Sequence, residues 1–188
     1  MYARRIGDRV LTFDFAEGLI KNNLLVVDRE TNSVWSQLHN QAISGPLKDT
    51  PMQIVPAMQT TWKHWKELHA DSKVMLIKGK KGRPYHYFNF DPQGSKPRKR
   101  SRTHDTSALG LGLATGGEAI FLPFRELDQA KTPMTLTLGG EALTVHYRKD
   151  EVTAWATDAD GQLVAGVLAY EKGWKDFHPE TRTFKAGP

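Results

Sequence analysis

With no cysteine among its 188 residues, the chain must draw any chemistry from imidazoles, carboxylates, hydroxyls and indoles. His69 and His178 stand out. Each closes a similar stretch, Trp65-Lys66-Glu67-Leu68-His69 and Trp174-Lys175-Asp176-Phe177-His178, and each precedes an acid by two positions, Asp71 and Glu180. An imidazole titrating near neutrality beside a carboxylate can move a proton or hold a divalent metal. His69, His178, Asp71 and Glu180 are therefore the candidate catalytic residues, and the two histidines the candidate metal ligands. The same residue types also suit a helix end, where a histidine satisfies the last carbonyls and an acid caps the following turn. Both readings stay open at this stage.

A second group has the makings of a binding wall. Trp35, Trp62, Trp65 and Trp174 offer large flat apolar faces with one donor each, and they serve a core equally well. Gln37 and His39 share the strand face opposite Leu38 and point together at a pocket or at water. These six are the candidate ligand-binding residues.

Several designs are excluded. Without cysteine there is no disulfide, thiolate nucleophile or Cys-ligated metal. Asp158-Ala159-Asp160-Gly161 lacks the first and last carboxylates of a calcium loop and reads as a hairpin turn. The glycines at 110, 112, 116 and 117 do not open a helix after a strand, as a dinucleotide site requires. No Gly-x-Ser-x-Gly elbow is present.

The elements that must position these groups are mostly strands. Apolar or alternating runs at 10–15, 24–27, 34–38, 74–77, 109–114, 118–122, 134–138, 142–147, 152–157 and 163–168 read as strands. A run at 52–55, bracketed by Pro51 and Pro56, suits a sheet edge. Gly116-Gly117 and Gly139-Gly140 mark tight hairpins, and the turn at 158–161 marks a third, so the C-terminal third is expected to be an antiparallel meander. One helix, capped by Thr60 or Thr61, should dock a face made of Trp62, Trp65 and Leu68 or His69. A short helix is expected at 124–130 and a last one carrying Tyr170, Trp174 and Phe177 or His178. The fold class is thus α+β and β-rich, with ten or eleven short, mostly antiparallel strands and two or three short helices.

At 39% hydrophobic and 25% charged, the chain can bury a core unaided as a single domain over 1–188. It contains no apolar run of transmembrane length and no signal-peptide stretch after Met1-Tyr2-Ala3-Arg4-Arg5. The net charge of +5 is largely local, gathered around one Pro/Gly-rich excursion. There Lys96, Arg98, Lys99, Arg100 and Arg102 follow Tyr85, Tyr87, Phe88 and Phe90, which makes weak nucleic-acid or polyanion contact a third reading beside a solvated loop. The two Trp-to-His stretches, with Gly7 to Phe13 resembling Gly139 to Val145, suggest an internal duplication with units at 7–74 and 139–184 joined by 78–138.

The series Asp28-Arg29-Glu30-Thr31-Asn32-Ser33-Val34-Trp35-Ser36-Gln37, Ala42-Ile43-Ser44-Gly45-Pro46-Leu47, Trp62-Lys63-His64-Trp65, Gly116-Gly117-Glu118-Ala119 and Phe177-His178-Pro179-Glu180-Thr181 resembles the DUF3179 family, in order from about Arg4 to Thr183. The resemblance implies no mechanism. Longer members of that family are often exported or lipid-anchored and carry a Cys-x-x-Cys segment just before the position of Tyr2, so a thiol-based function is not expected of this chain. The expected function is small-molecule binding or sensing near the helix ends of His69 and His178. The alternative is a metal-assisted hydrolase of small esters or lactones, with a divalent metal as its only cofactor.

Overall fold

The structure is a computed structural model that describes residues 1–21, 23–73 and 108–187. Among the described residues there are thirteen strands and three short helices, so the β-rich α+β expectation holds. The expected strand at 74–77, the aromatic group at 85–90 and the basic segment at 96–102 lie outside the described residues. No helix among the described residues is long and apolar enough to cross a membrane.

The N-terminal half begins with the small pair β1 (Arg5–Ile6) and β2 (Arg9–Val10). It continues into an antiparallel sheet with order β3-β4-β5-β6, from β3 (Phe13–Ile20), β4 (Asn23–Asp28), β5 (Val34–Ser36) and β6 (Gln41–Ser44). Its core is small: Leu11, Trp35, Ala42 and Met52, with Phe13 edge-on to Trp35 at 5.8 Å. The enlarged turn between β4 and β5 is built on a buried charge. The Asp28 carboxylate, fully buried, accepts from the Thr31 amide and hydroxyl and from the Trp35 indole at 2.8 Å. Burial pushes that carboxyl up, but the donors Trp35, Thr31 and Ser33 outweigh it and hold Asp28 below the usual range. The Ser33 hydroxyl extends the network by accepting from the Leu47 amide at 3.0 Å, which brings the Gly45-Pro46-Leu47 turn against the hairpin.

The run at 52–55 does not form an edge strand. Only isolated bridges, Tyr2 with Ile54 and Gln41 with Pro51, occur there, because Pro51 and Pro56 lack the donors that would extend a ladder. Helix α1 (Trp62–Leu68) follows, and Thr61 caps it by accepting from the His64 amide at 3.2 Å. The expected docking face is wrong in one respect. Trp62 and Leu68 are each 51% exposed, and the residue that α1 buries is His64.

The C-terminal half packs two sheets around one core. Sheet β12-β7-β8-β13 contains β7 (Leu109–Thr115), β8 (Glu118–Pro123), β12 (Gly166–Tyr170) and β13 (Arg182–Thr183); sheet β11-β10-β9 contains β9 (Met134–Leu138), β10 (Glu141–Arg148) and β11 (Thr153–Thr157). Leu111, Leu113, Ile120 and Leu122 from one sheet meet Leu138, Leu143, Val145 and Ala154 from the other, with Phe124 and Leu127 of α2 (Phe124–Leu127) closing an end. The expected meander is corrected here. β11 and β12 are not a hairpin: only the bridge of Thr157 with Leu163 joins the segments, and β12 instead pairs antiparallel with β7. Glycines at 110, 112 and 166 thin that pairing, since a Cβ at Gly166 would come within 2.9 Å of Leu111. Helix α3 (Glu171–Phe177) follows β12 directly and lays Trp174 onto Gly112.

Candidate functional site

The two Trp-to-His stretches form the same local device. His69 and His178 are the C-cap residues of α1 and α3, with φ −136°, ψ 73° and φ −126°, ψ 71°, and their amides donate to the Trp65 and Trp174 carbonyls. Each imidazole packs on its own tryptophan, at 4.2 Å for His69 on Trp65 and 3.9 Å for His178 on Trp174. Each indole donates to a hydroxyl seven residues on, Trp65 to Ser72 at 2.7 Å and Trp174 to Thr181 at 3.0 Å. The strands that sequence similarity pairs with them differ in place, since Gly7 to Phe13 holds β2 of the two-stranded pair and Gly139 to Val145 enters β10, the centre of a three-stranded sheet.

The surroundings of the two histidines also differ. His69 and Asp71 are exposed. His178 is half-buried, and its neighbour is His39: the His39 ring meets Phe177 at 6.2 Å, and His178 bonds to the Leu38 carbonyl between Gln37 and His39. Burial first, and then the His39 charge, push the His178 imidazole below its ordinary value against that bond, so it is neutral near pH 7. Its Nε2 is buried without a partner among the described residues. Glu180 is exposed and lines, with His178, Glu118 and Arg182, a cleft of about 540 Å³ at the β7–β8 turn. Arg182 is held there by Glu118 at 2.9 Å.

A larger space runs along β12, beside Asn23 and Gln37 on one side and residues 56–59 and Trp65 on the other. A cavity of about 600 Å³ is lined by Lys21, Asn23, Gln37, Leu38 and Asp176, and one of about 620 Å³ by Met58, Gln59, Trp65, Leu111 and Trp155. Tyr2, Val167 and Leu168 border both, making one crevice. Tyr2 is fixed by donating to the Gln37 carbonyl at 2.6 Å, and its burial raises the phenol above its ordinary value. A narrow extension reaches Asn40, Gly112 and Trp174. The Oδ1 atoms of Asn23 and Asn40 are buried without partners among the described residues.

Of the six expected binding residues, Gln37 and Trp65 line this crevice and Trp174 its extension. Trp35 is fully buried with its indole on Asp28, and so presents no surface. Trp62 stands on the outside under Lys66, whose ammonium lies 6.0 Å from the ring centre. His39 is exposed beside Phe177. Sequence reasoning missed Tyr2, Asn23 and Asn40, which carry no spacing signal, and His64, which the neighbouring tryptophans outranked as the apolar mark of α1. Among the described residues, no group of three or more His, Asp or Glu is placed to hold a metal ion.

Fold and site together define a β-rich α+β protein with a crevice along β12. The chain belongs to the family described as protein of unknown function (DUF3179), whose model matches residues 1–183. No curated protein and no solved structure matches it.

Proposed function

We propose that the protein binds a small molecule in the crevice along β12, which faces Asn23 and Gln37 on one side and residues 56–59 and Trp65 on the other. The observation that carries this reading is the pair of cavities, about 600 and 620 Å³, that share Tyr2, Val167 and Leu168. Pockets for small organic ligands run roughly from 300 to 1,000 Å³ and combine apolar walls with a few placed polar groups. Trp65, Val167 and Leu168 supply the walls, and Gln37, Lys21 and Asp176 supply the polar groups.

The test is a screen of polar-aromatic and aliphatic compounds by ligand-observed NMR, followed by amide shift mapping on the labelled protein. Saturable binding that moves Gln37, Trp65 and Leu168, and that Gln37→Ala weakens, is expected. Binding that maps only outside the crevice, or no saturable binding across the screen, would refute the reading. The hydrolase alternative, with His69, His178, Asp71 and Glu180 around a divalent metal, takes no support from the described residues. The polyanion alternative rests on residues 96–102 and stays with the sequence.

A further inference from the structure

The inner end of the crevice has chemistry of its own. A cavity of about 350 Å³ shares Gln59 and Leu168 with its neighbour and is walled by Leu109 and Phe124. Glu151, on the turn between β10 and β11, lines it, and the Glu151 side chain is only 10% exposed. One carboxylate oxygen accepts from Arg148 at 3.1 Å and the other from the Thr60 hydroxyl at 3.2 Å, and the Thr61 side chain donates a third bond to the carboxylate. The same Arg148 nitrogen lies 3.9 Å from Glu67. One guanidinium thus serves two carboxylates, of which Glu67 is half exposed to water and Glu151 is not.

His64 sits against this group, 2% exposed, with Nδ1 3.3 Å from Glu67 and Nε2 without a partner among the described residues. The backbone holds Glu151 in place against its own preference. Val152, the next residue, has φ 50°, a left-handed conformation that a β-branched side chain rarely adopts. The Thr153 hydroxyl then donates to the Gln59 carbonyl and ties the two walls together. A mostly buried carboxylate with spare acceptor capacity, in a wall of low dielectric, favours a cation that brings its own donors.

We infer that this inner end binds the protonated amine of a small ligand with an apolar body, the ammonium on Glu151 and the body against Leu109, Phe124 and Leu168. This rests on the crevice being the ligand site and names the class of ligand it takes. An anion is disfavoured by the carboxylate, and a neutral alcohol loses the charge-assisted bond.

The experiment is calorimetric titration of the full chain at low salt with phenethylamine, 2-phenylethanol and 3-phenylpropionate as probes of similar size. The amine should bind at least ten-fold more tightly than the alcohol, and the acid should not bind. Glu151→Gln should remove the preference of amine over alcohol. Amide shifts of wild-type protein with the amine should centre on Glu151, Val152 and Thr153, which keeps the test valid if the variant fails to fold. Equal binding of amine and alcohol, no amine binding, or amine shifts centred on Gln37 and Asn23 would overturn the assignment. In those cases the crevice reading survives if other ligands map to it, and falls only if none does.

Discussion

Trp174 lies directly on Gly112: a Cβ at that glycine would come within 2.4 Å of the six-membered ring of the indole. The contact seats α3 on β7, and with it the stacked His178 ring and the narrow end of the crevice. Gly112→Ala should force Trp174 off the strand. Overpacking of this kind costs typically about 1–3 kcal/mol. Urea denaturation should show the loss, and the His178 ring signals should shift. An unchanged midpoint and unchanged signals would mean that the sheet yields instead of the indole.

The second prediction separates two copies of one device. Trp174 is 3% exposed, whereas Trp65 is partly exposed. Thr181→Val leaves the buried Trp174 N–H without its acceptor and should cost about 1–3 kcal/mol. Ser72→Ala at the other helix leaves an indole that water reaches, so its cost should be smaller. Equal losses in denaturant would contradict the burial argument.

The third concerns the buried charge under the first hairpin. Asp28 and Trp35 contact each other in the core, so their substitutions should not add. A cycle of Asp28→Asn, Trp35→Phe and the double variant should return a coupling of roughly 0.5–3 kcal/mol. Additivity within error would show that the indole donor does little for the carboxylate.

The fourth is a pH dependence with a worked sign. Asp28 has its folded pKa lowered, so its stabilisation is full above the unfolded value, about 3.9, and fades as pH falls through the lower folded value. His178 also titrates lower when folded, so the unfolded chain binds its proton first. Its contribution is full above about pH 6.5 and is lost as pH falls through its lower folded value. Melting temperatures recorded from pH 8 to pH 3 should therefore decline in two steps. His178→Gln should shrink the step below neutrality, leaving the part due to His146, which burial also holds below its ordinary value, and His39→Ala should move the His178 titration upward by removing a like charge. An NMR titration in which His178 titrates at its ordinary value in wild type would sink this account.

Much of the chain was legible because its signals are local. Thr61 ahead of α1, the glycine pairs at 116–117 and 139–140 and the Asp28-to-Ser33 turn act through atoms a few residues apart, so their geometry is written in the sequence itself. The repeated Trp-to-His helix end is local in the same way. Which strand β12 would join is not, because Asp158 to Gly161 makes its turn without determining the sheet that follows; β7, bared by Gly110 and Gly112, offered the closer partner. The face that α1 buries was misread because two tryptophans promise more apolar area than one histidine, yet His64 is the residue that meets Trp155, at 5.7 Å. Amino-acid order alone thus determined the family, the β-rich class and the short-range caps and turns. Only the tertiary structure decided that His178 lies within reach of the His39 charge and not of a symmetric twin, and that Tyr2, Gln37, Trp65 and Leu168 border one crevice. Those groupings depend on how the N-terminus, the segment after β5 and α1 pack around β12, and no spacing along the chain encodes that.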